Sequence, residues 1–192
     1  HSTDFAAYID YNFSKNRFVF NPGFRFQNYT SLGENRFEPR LSMKYNLTEK
    51  IRFKASGGMF SQNLISTNDD TDVVSLFTGF LSSTDNIPSS FQNESINSLL
   101  QTATHYIIGL EYDILNNLNI NIEGYFKKFN QLIGLNRNKI YEDIPEFSGQ
   151  PDFLKKDFMI EKGDAKGIDI LLKYNSKKIS VWSVYSFGIV NR

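Results

Sequence analysis

The sequence predicts an antiparallel all-β fold, a membrane β-barrel segment of about eight strands with short periplasmic turns and long extracellular loops. Two observations carry that prediction. Apolar and polar residues alternate over runs of about ten residues, the spacing that puts neighbouring side chains on opposite faces of a strand. The links between runs alternate strictly between short and long, as they do when a sheet crosses a membrane and returns. Composition then narrows the function. The 192 residues carry 21 Lys+Arg against 21 Asp+Glu, no Cys, two His and 15% aromatic residues. Such an aromatic content excludes a disordered chain. Balanced charge argues against nucleic acid as a partner, since phosphates demand a basic excess. Without Cys there is no thiol catalysis, thiolate metal site or disulfide framework, and His1 and His105 make no metal cluster. No apolar run reaches the ~18 residues of a membrane helix. With neither an initiator Met nor a signal leader, residues 1–192 read as a piece of a mature chain belonging to one domain.

The strands follow in order. Phe5, Ala7, Ile9, Tyr11 and Phe13 alternate with Asp4, Ala6, Tyr8, Asp10 and Asn12. Phe18, Phe20, Pro22, Phe24 and Phe26 oppose Arg17, Asn21, Gly23, Arg25 and Gln27. The third run sets Phe37, Pro39, Leu41, Met43 and Tyr45 against Arg36, Glu38, Arg40, Ser42 and Lys44. The fourth sets Ile51, Phe53, Ala55 and Met59 against Arg52, Lys54, Ser56 and Gly58. In the second half, Tyr106, Ile108, Leu110, Tyr112 and Ile114 face away from His105, Gly109, Glu111 and Asp113. Leu118, Ile120, Ile122, Gly124 and Phe126 oppose Asn119, Asn121, Glu123, Tyr125 and Lys127. The last two runs place Ile168, Ile170, Leu172 and Tyr174 opposite Asp169, Leu171 and Lys173, then Ile179, Val181, Tyr185, Phe187 and Ile189 opposite Ser180, Trp182, Val184, Ser186 and Gly188, so the final strand is apolar on both faces in places.

Ser14–Asn16, Asn46–Lys50, Leu115–Asn117 and Asn175–Lys178 are polar, Asn- and Ser-rich hairpin turns. The long links are Asn28–Asn35, Gln62–Thr104 and Gly134–Asp157. A soluble meander also alternates, because one of its faces packs a core. Strand length, the sorting of the loops and the Phe and Tyr residues near strand ends favour the membrane fold. Two other readings stand beside it: a complete small eight-stranded outer-membrane barrel with a structural or adhesion role, and a soluble ligand-binding β-barrel.

The stretch Phe37-Glu38-Pro39-Arg40-Leu41-Ser42-Met43-Lys44-Tyr45, continuing through Leu47-Thr48 to Ile51-Arg52-Phe53-Lys54-Ala55-Ser56-Gly57-Gly58, resembles a hairpin of TonB-dependent outer-membrane receptors of the Bacteroidetes type. Phe60-Ser61-Gln62-Asn63 and Asp72-Val73-Val74-Ser75-Leu76-Phe77 are similar to the loop after it. His105–Tyr112 and Asn121–Lys128 resemble the next hairpin, and Gly163-Asp164-Ala165-Lys166-Gly167 resembles the entry to a later strand. The resemblance runs from about Phe5 to Val190. It implies a fragment of a large outer-membrane barrel that imports a scarce nutrient with energy from the TonB complex, and no enzyme activity or cofactor. The plug domain and the remaining strands would lie outside this chain. The implied partners are that plug, TonB, an unidentified nutrient ligand and the lipid of the bacterial outer membrane.

The candidate lumen-facing residues are Arg25, Arg36, Arg40, Lys44, Arg52, Lys54, His105, Glu111, Glu123 and Asp169. Arg36, Arg40, Arg52 and Lys54 form either a cationic wall for an anionic ligand or plug, or a solvated face balanced by acidic neighbours. No catalytic constellation is present. Asp69, Asp70 and Asp72 suggest a hard-cation site or, more simply, the cap of a helix running into Val73, Val74, Leu76, Phe77 and Phe80. A second helix is expected from Ser89, where Ser89-x-x-Gln92 fits a capping box. Phe77 and Phe80 are the candidate extracellular lid, with a self-packed loop as the plainer alternative.

Overall fold

The computed structural model describes residues 3–66, 80–82, 86–92 and 94–191. Its strands are β1 (Asp4–Asp10), β2 (Phe13–Lys15), β3 (Phe18–Tyr29), β4 (Glu34–Asn46), β5 (Ile51–Gln62), β6 (Leu64–Ser66), β7 (Phe80–Ser82), β8 (Ser90–Phe91), β9 (Glu94–Ser95), β10 (Gln101–Leu115), β11 (Leu118–Leu135), β12 (Phe158–Asn175) and β13 (Ser180–Asn191). A 3-10 turn (Pro145–Phe147) and one α-helical turn, α1 (Asp152–Lys155), lie in the last long link.

The large sheet runs β1-β3-β4-β5-β10-β11-β12-β13, every neighbour antiparallel, with β2 continuing β1 along β3. The expected first strand is broken at Tyr11–Asn12, yet its register against β3 is the same on both sides of the break. Proline explains the gap. Tyr11 N–H donates to the Pro22 carbonyl at 3.0 Å, and Pro22 has no N–H to return the bond. Among the described residues β1 and β13 pair with nothing beyond β3 and β12, so the sheet is open as a segment of a wider barrel would be.

Register fixes facing. Directly opposed residues share a face, so the alternation on one strand must match that of its neighbours. The row Pro22–Leu41–Gly57–Tyr106–Phe126 and the row Tyr45–Phe53–Leu110–Ile122–Ile170–Tyr185 are apolar throughout. The row Asp10–Gly23–Arg40–Gly58–His105–Lys127 lies on the other face. Phe24, Leu41, Met43, Ile108, Leu110 and Ile122 are all exposed, so among the described residues nothing covers this part of the apolar face. β13 also obeys the pattern, since Phe187 opposes Ile168 and Tyr185 opposes Ile170.

From β3 on, the strands of the large sheet have 12 to 18 residues and exceed the expected run of about ten, whereas β1 has seven. β11 and β12 each have 18 and stay paired as far as Leu135 with Phe158, past a bulge between Phe129 and Leu132. The bulge breaks strict alternation there, which hides the strand from a period-two reading. The last long link is therefore shorter than expected, and Gly163–Gly167 lies inside β12 rather than at its entry. The expected helix at Ser89 does not form. Ser90–Phe91 and Glu94–Ser95 make a small hairpin instead, with Gln92 at a φ of 49° in its turn. The capping-box pattern lost because a left-handed residue at its fourth position cannot continue a helix. The expected helix over Val73–Phe80, its capping Asp residues and Phe77 lie outside the described residues. At the end of that stretch, β7 pairs Phe80 with Ser66 as strand.

At the long-loop end there is a compact apolar cluster. Ile65, Ile87, Ile133 and Ile160 are buried together, with Phe91, Ile96, Leu99 and Phe158 packed around them. Two residues come from the first large link and two from the projecting ends of β11 and β12.

Candidate functional site

All ten candidate residues lie on the long strands of the large sheet, where register places them on the face away from the apolar rows, opposite mostly polar or small partners. Arg25 lies between Tyr8 and Glu38, and Lys44 between Val19 and Lys54. Glu123 lies between Gly109 and Asp169. Each of the four grouped cations has an acidic neighbour. Arg36 meets Glu34 at 3.4 Å and Arg40 meets Glu38 at 3.0 Å. Lys54 meets Glu111 at 2.6 Å, and Arg52 meets Glu111 at 2.9 Å and Asp113 at 2.5 Å. These pairs cancel most of the positive charge that the arginines and lysine would otherwise present.

Near the short turns, Arg52 makes a two-pronged contact with Asp113, whose Oδ1 also accepts from Asn119 Nδ2 at 2.7 Å. The planar fork of arginine matches a carboxylate in this way, which fixes both side chains. Farther along, Glu38 is only 2% exposed. Its Oε1 accepts from both the N–H and the hydroxyl of Ser61 at 2.7 Å, and Oε2 accepts from Arg40. The β4–β5 ladder ends at Arg40 and Gly58, so Glu38 bridges the two strands where the backbone no longer does. Tyr29, also buried, adds a 3.1 Å hydroxyl contact to Ser61.

Arg40 lies flat, its guanidinium carbon 4.6 Å from the centre of the Phe60 ring, and that ring is 4.5 Å from His105. Gly58 allows this, since a Cβ there would come within 3.1 Å of the Arg40 chain. Beside them opens a concavity of about 470 Å³ lined chiefly by Asp10, Asn21, Arg40, Ser42, Phe60 and His105. It offers hydrogen-bond donors, acceptors and charges of both signs next to one aromatic surface. Asp10, Asn21, Phe60 and Asp113 were not among the expected site residues. Alternation followed past Met59 would have found Phe60, and the register of neighbouring strands identifies the others.

The first large link reaches over this face at its long-loop end. Asn63 Nδ2 contacts Asp4 Oδ1 of β1 at 3.4 Å, three strands across the sheet from β5. Glu34 accepts from Leu99 N–H at 2.6 Å and Ser98 Oγ at 2.7 Å, and Arg36 also hydrogen-bonds Ser98 Oγ. Gln131 Nε2 donates to the carbonyls of Ser98 and Leu100. The second link is tied to the first through Asp157, which accepts from Lys139 at 2.8 Å and Asn86 at 2.5 Å. Those two bonds, the lysine foremost, hold the Asp157 carboxyl below the usual carboxylate range. Phe77 lies outside the described residues and Phe80 belongs to β7, so the lid remains an expectation.

A search of curated proteins finds no match to this chain. Among solved structures, the siderophore receptor PirA from Pseudomonas aeruginosa is similar in fold, with a TM-score of 0.64 at 14% identity. The match covers 100% of this chain and 35% of the receptor, so the chain spans about a third of that structure's length. The family model "TonB dependent receptor-like, beta-barrel" matches residues 1–191. This chain belongs to that family, whose barrels stand in the bacterial outer membrane and serve as receptors and transporters.

Proposed function

We propose that this chain is part of the wall and rim of a receptor that draws a scarce nutrient across the outer membrane with energy supplied through TonB. The observation that carries the reading is the sorting of two chemistries across one open sheet. One face is apolar from β1 to β13, and the other holds paired charges and a polar concavity. In a barrel wall the first face meets lipid and the second meets the water-filled interior. Arg25, Arg36, Arg40, Lys44, Arg52, Lys54, His105, Glu111, Glu123 and Asp169 then line the lumen, where a plug domain and a passing ligand would touch them. The balanced charge suits a polar surface for a moving plug better than an anion trap. The link held over the polar face by Asn63, Glu34 and Gln131 supports a cap at the extracellular mouth.

Residues 1–192 contain no cysteine, so cysteines introduced into them report on the chosen positions once any cysteine elsewhere in the receptor is replaced. In the full-length receptor in cells, Lys54→Cys and Glu123→Cys should react with a hydrophilic maleimide once the interior is opened to solvent. Leu110→Cys and Ile122→Cys should stay protected by lipid. Labelling of the second pair but not the first would reverse the assignment. Uptake that persists after TonB is deleted would remove the energised part of the proposal. Alanine at Phe77 and Phe80 with unchanged import would remove their role as a lid.

A further inference from the structure

On the paired region of β10 to β13, the apolar face carries charged side chains only at its long-loop rim. These are Lys128 on β11, with Asp164 directly opposite on β12, and Lys166, which opposes Phe126. Lys128 and Lys166 sit on neighbouring strands two residues out of step, close enough for both ammonium groups to reach one small anion. Both are exposed, and neither has a hydrogen-bond or ion-pair partner among the described residues. Asp164 instead accepts from Asn191 Nδ2 at 3.1 Å.

Height along the strand gives the lysines their setting. Ten residues separate Leu118 from Lys128, which at ~3.3 Å per residue and ~40° of tilt is about 25 Å, the height of an outer-membrane apolar band. Lys166 stands eight residues from Tyr174, about 20 Å by the same measure, and a lysine stem can lift its charge several ångströms further. Both ammonium groups thus reach the headgroup level of the leaflet on the long-loop side.

Directly beneath them lies a groove of about 490 Å³ on the same face, floored at Gly124 and walled by Tyr106, Ile108, Phe126, Ile168 and Phe187, with Lys166 at its upper end. Gly124 keeps it open. A Cβ there would find only ordinary contacts, at 3.8 Å from Ile108 and 4.0 Å from the Gly167 carbonyl, so the gap comes from the missing side chain rather than from crowding. Two unpaired cations above an apolar slot match an anionic head joined to a hydrocarbon chain.

We infer that Lys128, Lys166 and the Gly124 groove form a binding site for an acyl lipid of the outer leaflet whose phosphate head is net anionic, with the phosphate on the lysines and one chain in the groove. The inference rests on the apolar face meeting lipid, as proposed above. The test is native mass spectrometry of the full-length receptor in detergent, titrated with phosphatidylglycerol or with phosphatidylcholine. The wild type should hold a phosphatidylglycerol molecule in preference to phosphatidylcholine. Lys128→Gln with Lys166→Gln should weaken that binding about tenfold. Gly124→Leu, which fills the slot, should weaken it several-fold, whereas Lys177→Gln with Lys178→Gln in the opposite turn should change nothing. Equal retention by the Lys128 and Lys166 variant, or equal binding of the two lipids, would overturn the inference. So would displacement by inorganic phosphate alone together with indifference to Gly124→Leu, which would mean a phosphate site without a chain. A spin label at Ile122→Cys separates the two levels of failure. If it is accessible to oxygen in the membrane while lipid retention ignores the lysines, only the lipid site fails; if it is accessible to aqueous reagents, the facing itself fails.

Discussion

Removing the Glu38 carboxylate should open the seam between β4 and β5 at its long-loop end. Glu38→Ala takes away the acceptor for Ser61 N–H and Ser61 Oγ, both at 2.7 Å, and leaves Arg40 without its carboxylate. A hydrogen bond to a charged group contributes about 1.5–3 kcal/mol, and two to one residue are not additive. The Arg40 bond adds less, because that side chain is 40% exposed and water screens the pair. The total is about 3 kcal/mol, spent locally, since the backbone ladder has already ended at Arg40 and Gly58. At ~1.4 kcal/mol per factor of ten, exchange of the Ser61 amide should quicken by roughly a hundredfold. Glu38→Gln keeps an acceptor for Ser61 and should cost only about tenfold. Hydrogen exchange resolved to Phe60–Gln62 in the intact receptor measures both. A change below threefold in the alanine variant would refute the claim that a side chain holds this seam.

Leu110 stands five residues from the end of β10, about 13 Å above the short turns and near the middle of a 25 Å band. Leu110→Arg should therefore cost about 2–4 kcal/mol in refolding into lipid, while a neutral outcome would argue against a lipid-facing position. Gly167→Ala should destabilise more than Gly188→Ala. A Cβ at Gly167 would collide with the Phe187 carbonyl, whereas at Gly188 the tight contact is the movable Tyr125 hydroxyl. Tyr125→Phe should rescue the Gly188 variant and not the other, read by the same refolding assay. The tie between the two large links should respond to acid. Asp157 is depressed in the folded state, first by Lys139, so its contribution is present above the unfolded value near ~3.9 and is lost as pH falls through the folded value. Lys139 is raised, first by Asp157, so its share is full below ~10.4 and fades only as pH rises through its folded value. Amide exchange of residues 136–157 should thus be flat across neutral pH at constant intrinsic rate. A step near pH 7 would assign the tie to other groups.

Strand identity, order and facing were legible because period two is enforced wherever each face meets a different solvent, and the pairing of Leu110 with Phe53 and Ile122 shows that logic at work. Legibility failed where that constraint lapses. Phe129–Leu135 and Phe158–Gly163 project beyond the expected band, a bulge shifts their parity, and their apolar residues pack on a link instead of lipid. The Ser89 pattern misled because a capping box specifies a helix only if its residues are free to be helical, and here Ser90 and Phe91 pair with Ser95 and Glu94. Alternation alone puts the candidate cations together on one face of the sheet, as register does. It also sets Glu34 beside Arg36 and Glu38 beside Arg40, but it does not find Asp113 for Arg52, 61 residues away in sequence, a pairing that only register supplies.

The buried cluster of Ile65, Ile87, Ile133 and Ile160 binds together stretches that lie far apart in sequence. With the Asn86–Asp157 contact, it ties the described parts of both links to the upper ends of β11 and β12. A graft that exchanged only the first link for that of another receptor would leave Ile133 and Ile160 facing the wrong surface. Changing what the mouth recognises therefore calls for moving both links together with the upper ends of β11 and β12. Natural diversification of this rim should show the same bookkeeping, with substitutions at residue 87 answered at 133 or 160 rather than within their own loop.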